Sequence, residues 1–173
     1  MPRLFVAVWP PDDVLDAVAR LARPPVPGVR WTAREQWHVT LRFFGAVEDA
    51  SAAVDALRGV RAGPAEAVVG PAVGRFGNRV LHVPVSGLSE VAADVVALTA
   101  GVGQPAEERG FSGHLTLARS AKGKRVNLAL LAGEAISERW TVDELCLVES
   151  HLSPAGARYE VVASFALSGG GRS

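Results

Sequence analysis

Two short segments of the chain repeat the same order of residues that can do proton-transfer chemistry. Residues 38–41 read HVTL and residues 114–117 read HLTL, so each segment places a histidine two positions before a threonine. Both segments are typical of β-strands, in which side chains two positions apart point to the same side. Each histidine therefore shares a face with its threonine. Two such strands lying side by side would bring two imidazoles and two hydroxyls into one cleft.

The side chains of His38, Thr40, His114 and Thr116 suit the opening of a cyclic phosphodiester. That reaction needs a base that takes a proton from water and an acid that protonates the leaving oxygen, and imidazole titrates near neutral pH. Threonine hydroxyls can donate hydrogen bonds to phosphoryl oxygens, where negative charge concentrates in the transition state. Zinc is the alternative use of a histidine pair. Neither motif has a third ligand at a metal-binding spacing, so we expect no metal and no cofactor.

Positive charge lies close to both motifs. By strand alternation Arg42 shares the face of the first motif's histidine, and it either contacts phosphate or lies at a solvated rim. Residues 119–125 follow the second motif and read RSAKGKR, the most basic stretch of the chain. This stretch is either an ordinary charged loop or a contact for RNA backbone through Lys122, Lys124 and Arg125.

Other groups near the motifs receive no role from the sequence. His82 lacks a threonine partner, His151 lies in a turn-like segment, and Cys146 lies in an apolar run typical of a buried strand. Aromatic residues beside the motifs either stack a base or belong to the core. These aromatic residues are Trp37, Phe44 and Phe111.

The composition indicates one globular domain with a buried core. Of 173 residues, 49% are hydrophobic, and 18 Lys plus Arg balance 18 Asp plus Glu. A neutral chain has no overall field that attracts long nucleic acids, so such contact requires a local basic patch or one well-formed pocket. The chain shows no signal peptide at its start and no apolar run of ~18 residues. We expect a soluble, cytoplasmic protein without membrane contact, and we expect it to be a monomer.

The order of apolar and turn residues predicts an α+β fold with largely antiparallel sheets. We expect a single domain over residues 1–173, with a disordered tail at 169–173. Helices are expected from residues 10–13 onward, after a cap at Asp49, and over residues 88–98. Strands are expected over residues 4–9, 37–44, 114–118, 141–148 and 159–167, with two more in 65–85 and a turn at 153–156.

Nearly the whole chain resembles the two-histidine (2H) phosphoesterases. The resemblance is to the bacterial and archaeal RNA 2′,3′-cyclic phosphodiesterases, also called 2′-5′ RNA ligases or LigT-like proteins. Both motifs, the opening strand and a signature near the carboxyl end contribute to it. The segments that carry it are residues 4–11 (LFVAVWPP), 37–45 (WHVTLRFFG), 111–119 (FSGHLTLAR) and 150–159 (SHLSPAGARY).

The resemblance implies a bilobal fold with pseudo-twofold symmetry, an active cleft between the lobes, and catalysis without a metal. The position of the family's proton donor falls on His38, and that of the acceptor that activates water falls on His114. Thr40 and Thr116 would hold the phosphate, and Arg119 matches the family's phosphate-contacting arginine.

The expected function is hydrolysis of RNA 2′,3′-cyclic phosphate ends to 2′-phosphomonoesters, with 2′-5′ RNA ligation as its reverse. The partners would be RNA ends or oligonucleotides that carry the cyclic phosphate. One alternative is a phosphodiesterase for 2′-5′-linked oligonucleotides or small cyclic nucleotides. Another is a non-catalytic module that binds RNA ends, although a pure binder would not need two titrating groups.

Overall fold

The fold consists of two antiparallel β-sheets with three helices packed around them, in a computed structural model that describes residues 1–169. This arrangement confirms the predicted α+β class. Apart from Gly169, the tail that we predict to be disordered lies outside the described residues. The strands are β1 (Arg3–Val8), β2 (Val29–Trp31), β3 (Val39–Ala46), β4 (Ala65–Val69), β5 (Gly74–Phe76), β6 (Val80–Ser86), β7 (His114–Ser120), β8 (Glu138–Val142), β9 (Glu144–Ser153) and β10 (Gly156–Ala166). The helices are α1 (Asp12–Ala19), α2 (Ala50–Leu57) and α3 (Ser89–Leu98), with 3₁₀ turns at Arg34–Gln36 and Leu128–Leu131.

The first sheet has the strand order β10-β9-β1-β3. Its β1 strand is paired on both sides, and every residue from Leu4 to Val8 is buried, because both faces of this strand are covered. β9 and β10 form a long hairpin whose turn lies at residues 153–156, as the sequence predicts. β3 follows the first histidine directly and lies at the open edge of this sheet.

The second sheet has the order β2-β7-β6-β4-β8, and β5 pairs with β6 outside this path. β7 carries the second histidine motif and is paired with β2 on one side and with β6 on the other. The two motifs therefore belong to different sheets. β3 and β7 contact each other, and this contact brings the two motifs together.

The chain passes from the second sheet to the first at Asp143. The sequence predicts one strand over residues 141–148, but β8 pairs with β4 and β9 pairs with β1. Val142 and Leu145 are both buried on either side of the exposed Asp143, so the apolar pattern continues across the crossing and conceals it. The region 65–85 likewise holds three strands rather than the two that we predict.

The helices cover the outer faces of the sheets. α2 begins as predicted at Asp49, whose carboxylate accepts a hydrogen bond from the Ser51 N–H at 2.9 Å. α3 buries Val91, Ala92 and Val95 and packs against β3. Within residues 1–169, the helices lack the length and apolar character needed to cross a bilayer.

Each of the two histidine strands contains one extra residue at the same place in its motif. Consecutive residues of β1 pair with Thr40 and Arg42 of β3, so Leu41 is left without a partner as a β-bulge. In β7 the pairing with β6 skips Leu117 in the same way. A bulge places two residues opposite one, so the alternation of side chains is reversed beyond it.

The bulge at Leu41 corrects our expectation for Arg42, which we predict to contact phosphate or to lie at a rim. The Arg42 side chain is only 4% exposed and points into the protein. Its guanidinium donates hydrogen bonds to the carbonyl oxygens of Thr99, Val102 and Gln104 at 2.7, 3.1 and 2.9 Å. These carbonyls lie at and beyond the end of α3, where the helix offers them no intrahelical donor. Arg42 therefore fixes the end of a helix and does not line the site.

Replacing Arg42 with methionine is expected to lower the free energy of unfolding by about 2–4 kcal/mol, because the part-buried carbonyls of Val102 and Gln104 lose the guanidinium and the Thr99 carbonyl keeps only the Val102 N–H. Urea denaturation followed by circular dichroism measures the loss. Arg58→Met is the matched control. Within residues 1–169, Arg58 is exposed and forms an ion pair with Asp55 alone, so we expect its replacement to change the unfolding free energy by at most about 0.5 kcal/mol. Equal losses in the two variants would contradict the structural role of Arg42.

Candidate active site

The two histidine motifs meet in an open cleft of about 720 Å³ between the sheets. His38 immediately precedes β3 and Thr40 lies on it, whereas His114 and Thr116 lie on β7. All four side chains line the cleft. Residues 152–157 of the β9–β10 hairpin line another side. The structure thus brings together the four motif side chains that the sequence singles out.

His38 lies in a part of the cleft that is lined by aromatic rings. Burial lowers the pKa of its imidazole to about 4, against a hydrogen bond to the Gln36 carbonyl that raises it. The positive charges of His114 and Arg119 lower the pKa of His38 further. At pH 7 the ring is therefore neutral in the free protein. The rings packed around it are Phe5, Trp9 and Tyr159, at centroid distances of 5.0, 5.2 and 5.1 Å.

Both imidazoles are oriented by the same backbone contact. The Nδ1 atom of His38 lies 2.7 Å from the carbonyl oxygen of Gln36, and that of His114 lies 2.8 Å from the carbonyl oxygen of Ser112. Because a carbonyl can only accept, Nδ1 is the donor in each ring. The lone pair of each neutral ring is therefore on Nε2. In His38 this atom accepts a hydrogen bond from the Thr40 hydroxyl, with an Nε2–Oγ1 distance of 3.0 Å.

A third histidine, which the sequence analysis takes as structural, lies against His114. The ring centroid of His82 is 5.4 Å from that of His114, and Phe76 stacks on His82 at 4.0 Å. The His82 ring fills the space beside Gly74, where an added Cβ would come within 3.2 Å of its Cε1 atom. Burial lowers the pKa of His82 to about 4, with a further lowering from the charge of His114. His114 is thus flanked by a neutral imidazole.

Strand pairing puts His82 in this place. Its partner across the β6–β7 ladder is Thr116, and cross-strand partners project to the same face of a sheet. The signal in the sequence is one histidine inside the apolar strand that comes before the second motif. Alternation within that strand does not identify the strand with which it pairs.

One threonine connects the two motifs. The Thr32 hydroxyl lies 2.8 and 2.9 Å from the carbonyl oxygens of Thr116 and Leu117, to which it can donate, and it accepts from the indole N–H of Trp37 at 2.9 Å. The Thr32 backbone N–H also donates to the Leu117 carbonyl at 2.9 Å. Trp37 is fully buried and immediately precedes His38. This chain of contacts fixes the bulge of one motif relative to the histidine of the other.

The bulge at Leu117 turns Arg119 into the cleft, whereas Ala118, the residue before Arg119, is buried. The corresponding residue of β3 is Phe43, which is 38% exposed and also lines the cleft. The guanidinium of Arg119 lies close enough to His38 and Tyr159 to lower the pKa of each. For the Tyr159 phenol, burial is the larger effect and raises the pKa.

The charged side chains of the cleft all have the same sign. Arg30, Arg119 and Lys122 line it, and no Asp or Glu of residues 1–169 does. The described part of the chain also has no group of three or more His, Cys, Asp or Glu side chains placed to hold a metal ion. The walls therefore suit an anionic ligand.

The aromatic residues that we name from the sequence are largely part of the core. Trp37 and Phe44 are fully buried, and Phe111 is half-buried and packs against the core. None of the three lines the cleft. The aromatic side chains that line the cleft are Phe5, Trp31, Phe43 and Tyr159.

The remaining two candidate groups lie outside the lining of the cleft. His151 lies between Glu149 and Glu160 on the β9–β10 hairpin, at 3.7 and 3.3 Å from their carboxylates. Burial raises the pKa of the Cys146 thiol, so the thiolate needed for nucleophilic attack is disfavoured. Neither His151 nor Cys146 lines the cleft.

Two comparisons of the amino-acid sequence agree with this geometry. The family model of the 2′-5′ RNA ligase superfamily matches residues 10–154. An RNA 2′,3′-cyclic phosphodiesterase of Geobacillus stearothermophilus is 29% identical over 180 residues, which cover 95% of this chain and 57% of that protein. The chain thus spans little more than half the length of that relative.

Solved structures share the fold over almost the whole chain. The protein TT0787 of Thermus thermophilus superposes with a TM-score of 0.78 at 28% identity, covering 96% of this chain and 98% of that one. LigT of E. coli complexed with 3′-AMP superposes with a TM-score of 0.75 at 23% identity, covering 96% and 99%. These findings confirm the resemblance carried by the two motifs: the chain belongs to the 2′-5′ RNA ligase superfamily of two-histidine phosphoesterases.

Proposed function

We propose that the protein hydrolyses 2′,3′-cyclic phosphate ends of RNA to 2′-phosphomonoesters. The observation that carries the proposal is the meeting of His38, Thr40, His114 and Thr116 with Arg119 in a cleft that no acidic side chain of the described residues lines. A reaction that moves two protons at a phosphate anion needs two titratable groups and several donors to the phosphoryl oxygens. The name of the Geobacillus relative supports the same class of substrate.

In the proposed reaction, Nε2 of His114 takes a proton from a water molecule. The water oxygen forms a bond to phosphorus while the bond from phosphorus to the 3′ oxygen breaks. His38 gives its Nε2 proton to the departing 3′ oxygen, and the phosphate stays on the 2′ oxygen. His114 ends protonated and His38 ends neutral, so one proton exchange with solvent at each ring restores the starting state. The resemblance to the family supports this assignment of the two roles.

His38 must carry a proton on Nε2 to act as the acid, but burial lowers its pKa to about 4 in the free protein. A bound phosphodiester would supply a negative charge beside the ring, and a nearby opposite charge favours the protonated imidazole. The substrate itself therefore raises the pKa of His38. His38 therefore becomes charged only when a substrate is bound whose 3′ oxygen can receive its proton.

Protonation of His38 also changes what Thr40 can do. In the free protein the Thr40 hydroxyl donates to Nε2 of His38. Once Nε2 carries a proton it no longer accepts, so the hydroxyl of Thr40 is free to donate to a phosphoryl oxygen. Thr116 and Arg119 supply further donors from β7. Together they stabilise the charge that builds on the phosphoryl oxygens.

The first test is the product of the reaction. An oligonucleotide that ends in a 2′,3′-cyclic phosphate is expected to yield a 2′-phosphate in excess EDTA, and ion-pair chromatography separates the two isomers. A dominant 3′-phosphate would contradict the assigned roles of the two histidines.

The same assay tests the other readings of the site. Loss of turnover in EDTA, restored by zinc or manganese, would contradict metal-independent catalysis. Binding without turnover would favour the module that only binds RNA ends. Addition of an oligonucleotide with a free 5′-hydroxyl tests ligation in the reverse direction.

The second test removes each proton-transfer group. His38→Asn and His114→Asn are each expected to lower kcat by roughly 10²–10⁴-fold, the usual weight of a general acid or base. The double variant should be little worse than either single one, because the pair acts as a unit. Thr40→Val and Thr116→Val should cost less, since each removes one donor. His151→Asn, outside the cleft, is the matched control and should keep wild-type turnover. A histidine variant that retains more than about a tenth of wild-type kcat would exclude its assigned role.

The third test follows the protonation of His38 by ¹H–¹⁵N nuclear magnetic resonance, with His38→Asn identifying the resonance. In the free protein we expect a neutral ring with its proton on Nδ1 throughout pH 5–8, because burial lowers the pKa to about 4. Saturating 2′-AMP should raise the midpoint of the His38 titration toward neutral pH, because the phosphate stabilises the charged ring. A midpoint that stays near its free value in the complex would rule out His38 as the acid and favour exchanged roles.

A further inference from the structure

Five basic residues, which we call the basic strip, begin inside the cleft and continue beyond it. Arg30, Arg119 and Lys122 line the cleft, and Lys124 and Arg125 follow on the exposed turn after β7. Lys122 and Lys124 are the only lysines of the chain. Because positive and negative side chains balance over the whole protein, the strip is a local concentration of positive charge on a neutral molecule.

Two members of the strip stand directly opposite each other. Arg30 on β2 is the cross-strand partner of Arg119 on β7, and such partners project to the same face. Like charges in this position repel and destabilise the pair. The ion pairs formed within residues 1–169 include no residue of the strip, so no carboxylate there offsets the repulsion. A bound anion would offset it.

Backbone hydrogen bonds hold the turn that carries Lys122 and Lys124. The Ala121 N–H donates to the Gly28 carbonyl at 2.7 Å, and the Lys124 N–H donates to the Ala121 carbonyl at 3.0 Å. Gly28 has a φ of +82°, and a Cβ there would come within 2.9 Å of Val126 and 3.1 Å of the Lys124 Cβ. The turn therefore packs closely on the segment that leads into β2, and its backbone is fixed relative to Arg30.

We propose that the basic strip binds the phosphodiester backbone of the RNA nucleotides that precede the cyclic end, so that the substrate is an RNA chain rather than a cyclic mononucleotide. This inference rests on the proposed function, because the cyclic phosphate between the two histidines defines where the chain enters. A mononucleotide has no second phosphate to reach Lys124 and Arg125, which lie beyond the lining of the cleft. Lysine and arginine that neutralise phosphates act through charge, so the contact is independent of base sequence and sensitive to salt.

The test compares adenosine 2′,3′-cyclic phosphate with an RNA ten-mer that ends in the same group. We expect kcat/KM to be roughly tenfold higher for the ten-mer at 50 mM KCl and to fall toward the mononucleotide value at 300 mM. The triple variant Lys122→Gln, Lys124→Gln and Arg125→Gln should lose most of this preference. The matched control is Arg58→Gln, Arg109→Gln and Arg139→Gln, which removes the same charge from exposed ion pairs elsewhere. Thermal unfolding of both variants checks that they are folded.

Binding is measured separately from turnover. Fluorescence polarisation with a 5′-labelled ten-mer that ends in a 3′-hydroxyl gives Kd as a function of KCl. The salt dependence of log Kd should weaken in the strip variant by about 0.7 for each cation removed, and it should not change in the control.

The outcomes separate the two proposals. If the wild-type protein turns over both substrates equally, and both triple variants show the same salt dependence, the proposed role of the basic strip is wrong. The proposed hydrolase activity is then still supported. A wild-type protein that turns over neither substrate, but whose binding of the ten-mer loses its salt dependence in the strip variant, would support the strip and overturn the hydrolase.

Discussion

The bulge just after the threonine of each motif determines which side chains reach the cleft. Up to the bulge, strict alternation presents a histidine and a threonine on one face. At Leu41 and Leu117 the alternation is reversed, so the next residue is buried and the one after it reaches the cleft. In β7 that residue is Arg119, which adds a positive charge, and in β3 it is Phe43, which adds an aromatic face. Without the two bulges, neither would lie beside the threonines.

The two half-sites share a backbone design and differ in what surrounds them. Each imidazole is held through Nδ1 by the carbonyl two residues earlier, so each presents the same nitrogen to the cleft. His38 is enclosed by three aromatic rings, whereas His114 lies beside the neutral ring of His82. Both rings share the Nδ1 hydrogen bond, so they are distinguished by their packing and by the Thr40 hydroxyl that bonds Nε2 of His38. In the proposed reaction, this difference would let one duplicated motif supply groups for two different protons.

Local patterns in the sequence were sufficient for the motifs and insufficient for the pairing between strands. The spacing of His38 and Thr40 placed both on one face correctly, because no bulge separates them. The same rule failed at Arg42, since the bulge depends on the register with β1 and leaves no mark in the motif itself. His82 could not be associated with His114 for a similar reason, because only the pairing of β6 with β7 brings them together. The crossing at Asp143 was hidden by apolar residues on both sides of it.

The sign of the charge on the cleft walls affects how the proposed reaction ends. A cyclic phosphodiester carries one negative charge, whereas the phosphomonoester that replaces it carries close to two at neutral pH. Walls formed by Arg30, Arg119 and Lys122, with no carboxylate of residues 1–169 among them, hold the more highly charged molecule more strongly. Capture of the substrate and departure of the product therefore respond in opposite ways to ionic strength. If departure of the product limits the proposed reaction, turnover would be greatest at an intermediate salt concentration, where screening loosens the product and still leaves enough attraction to bind the next RNA end.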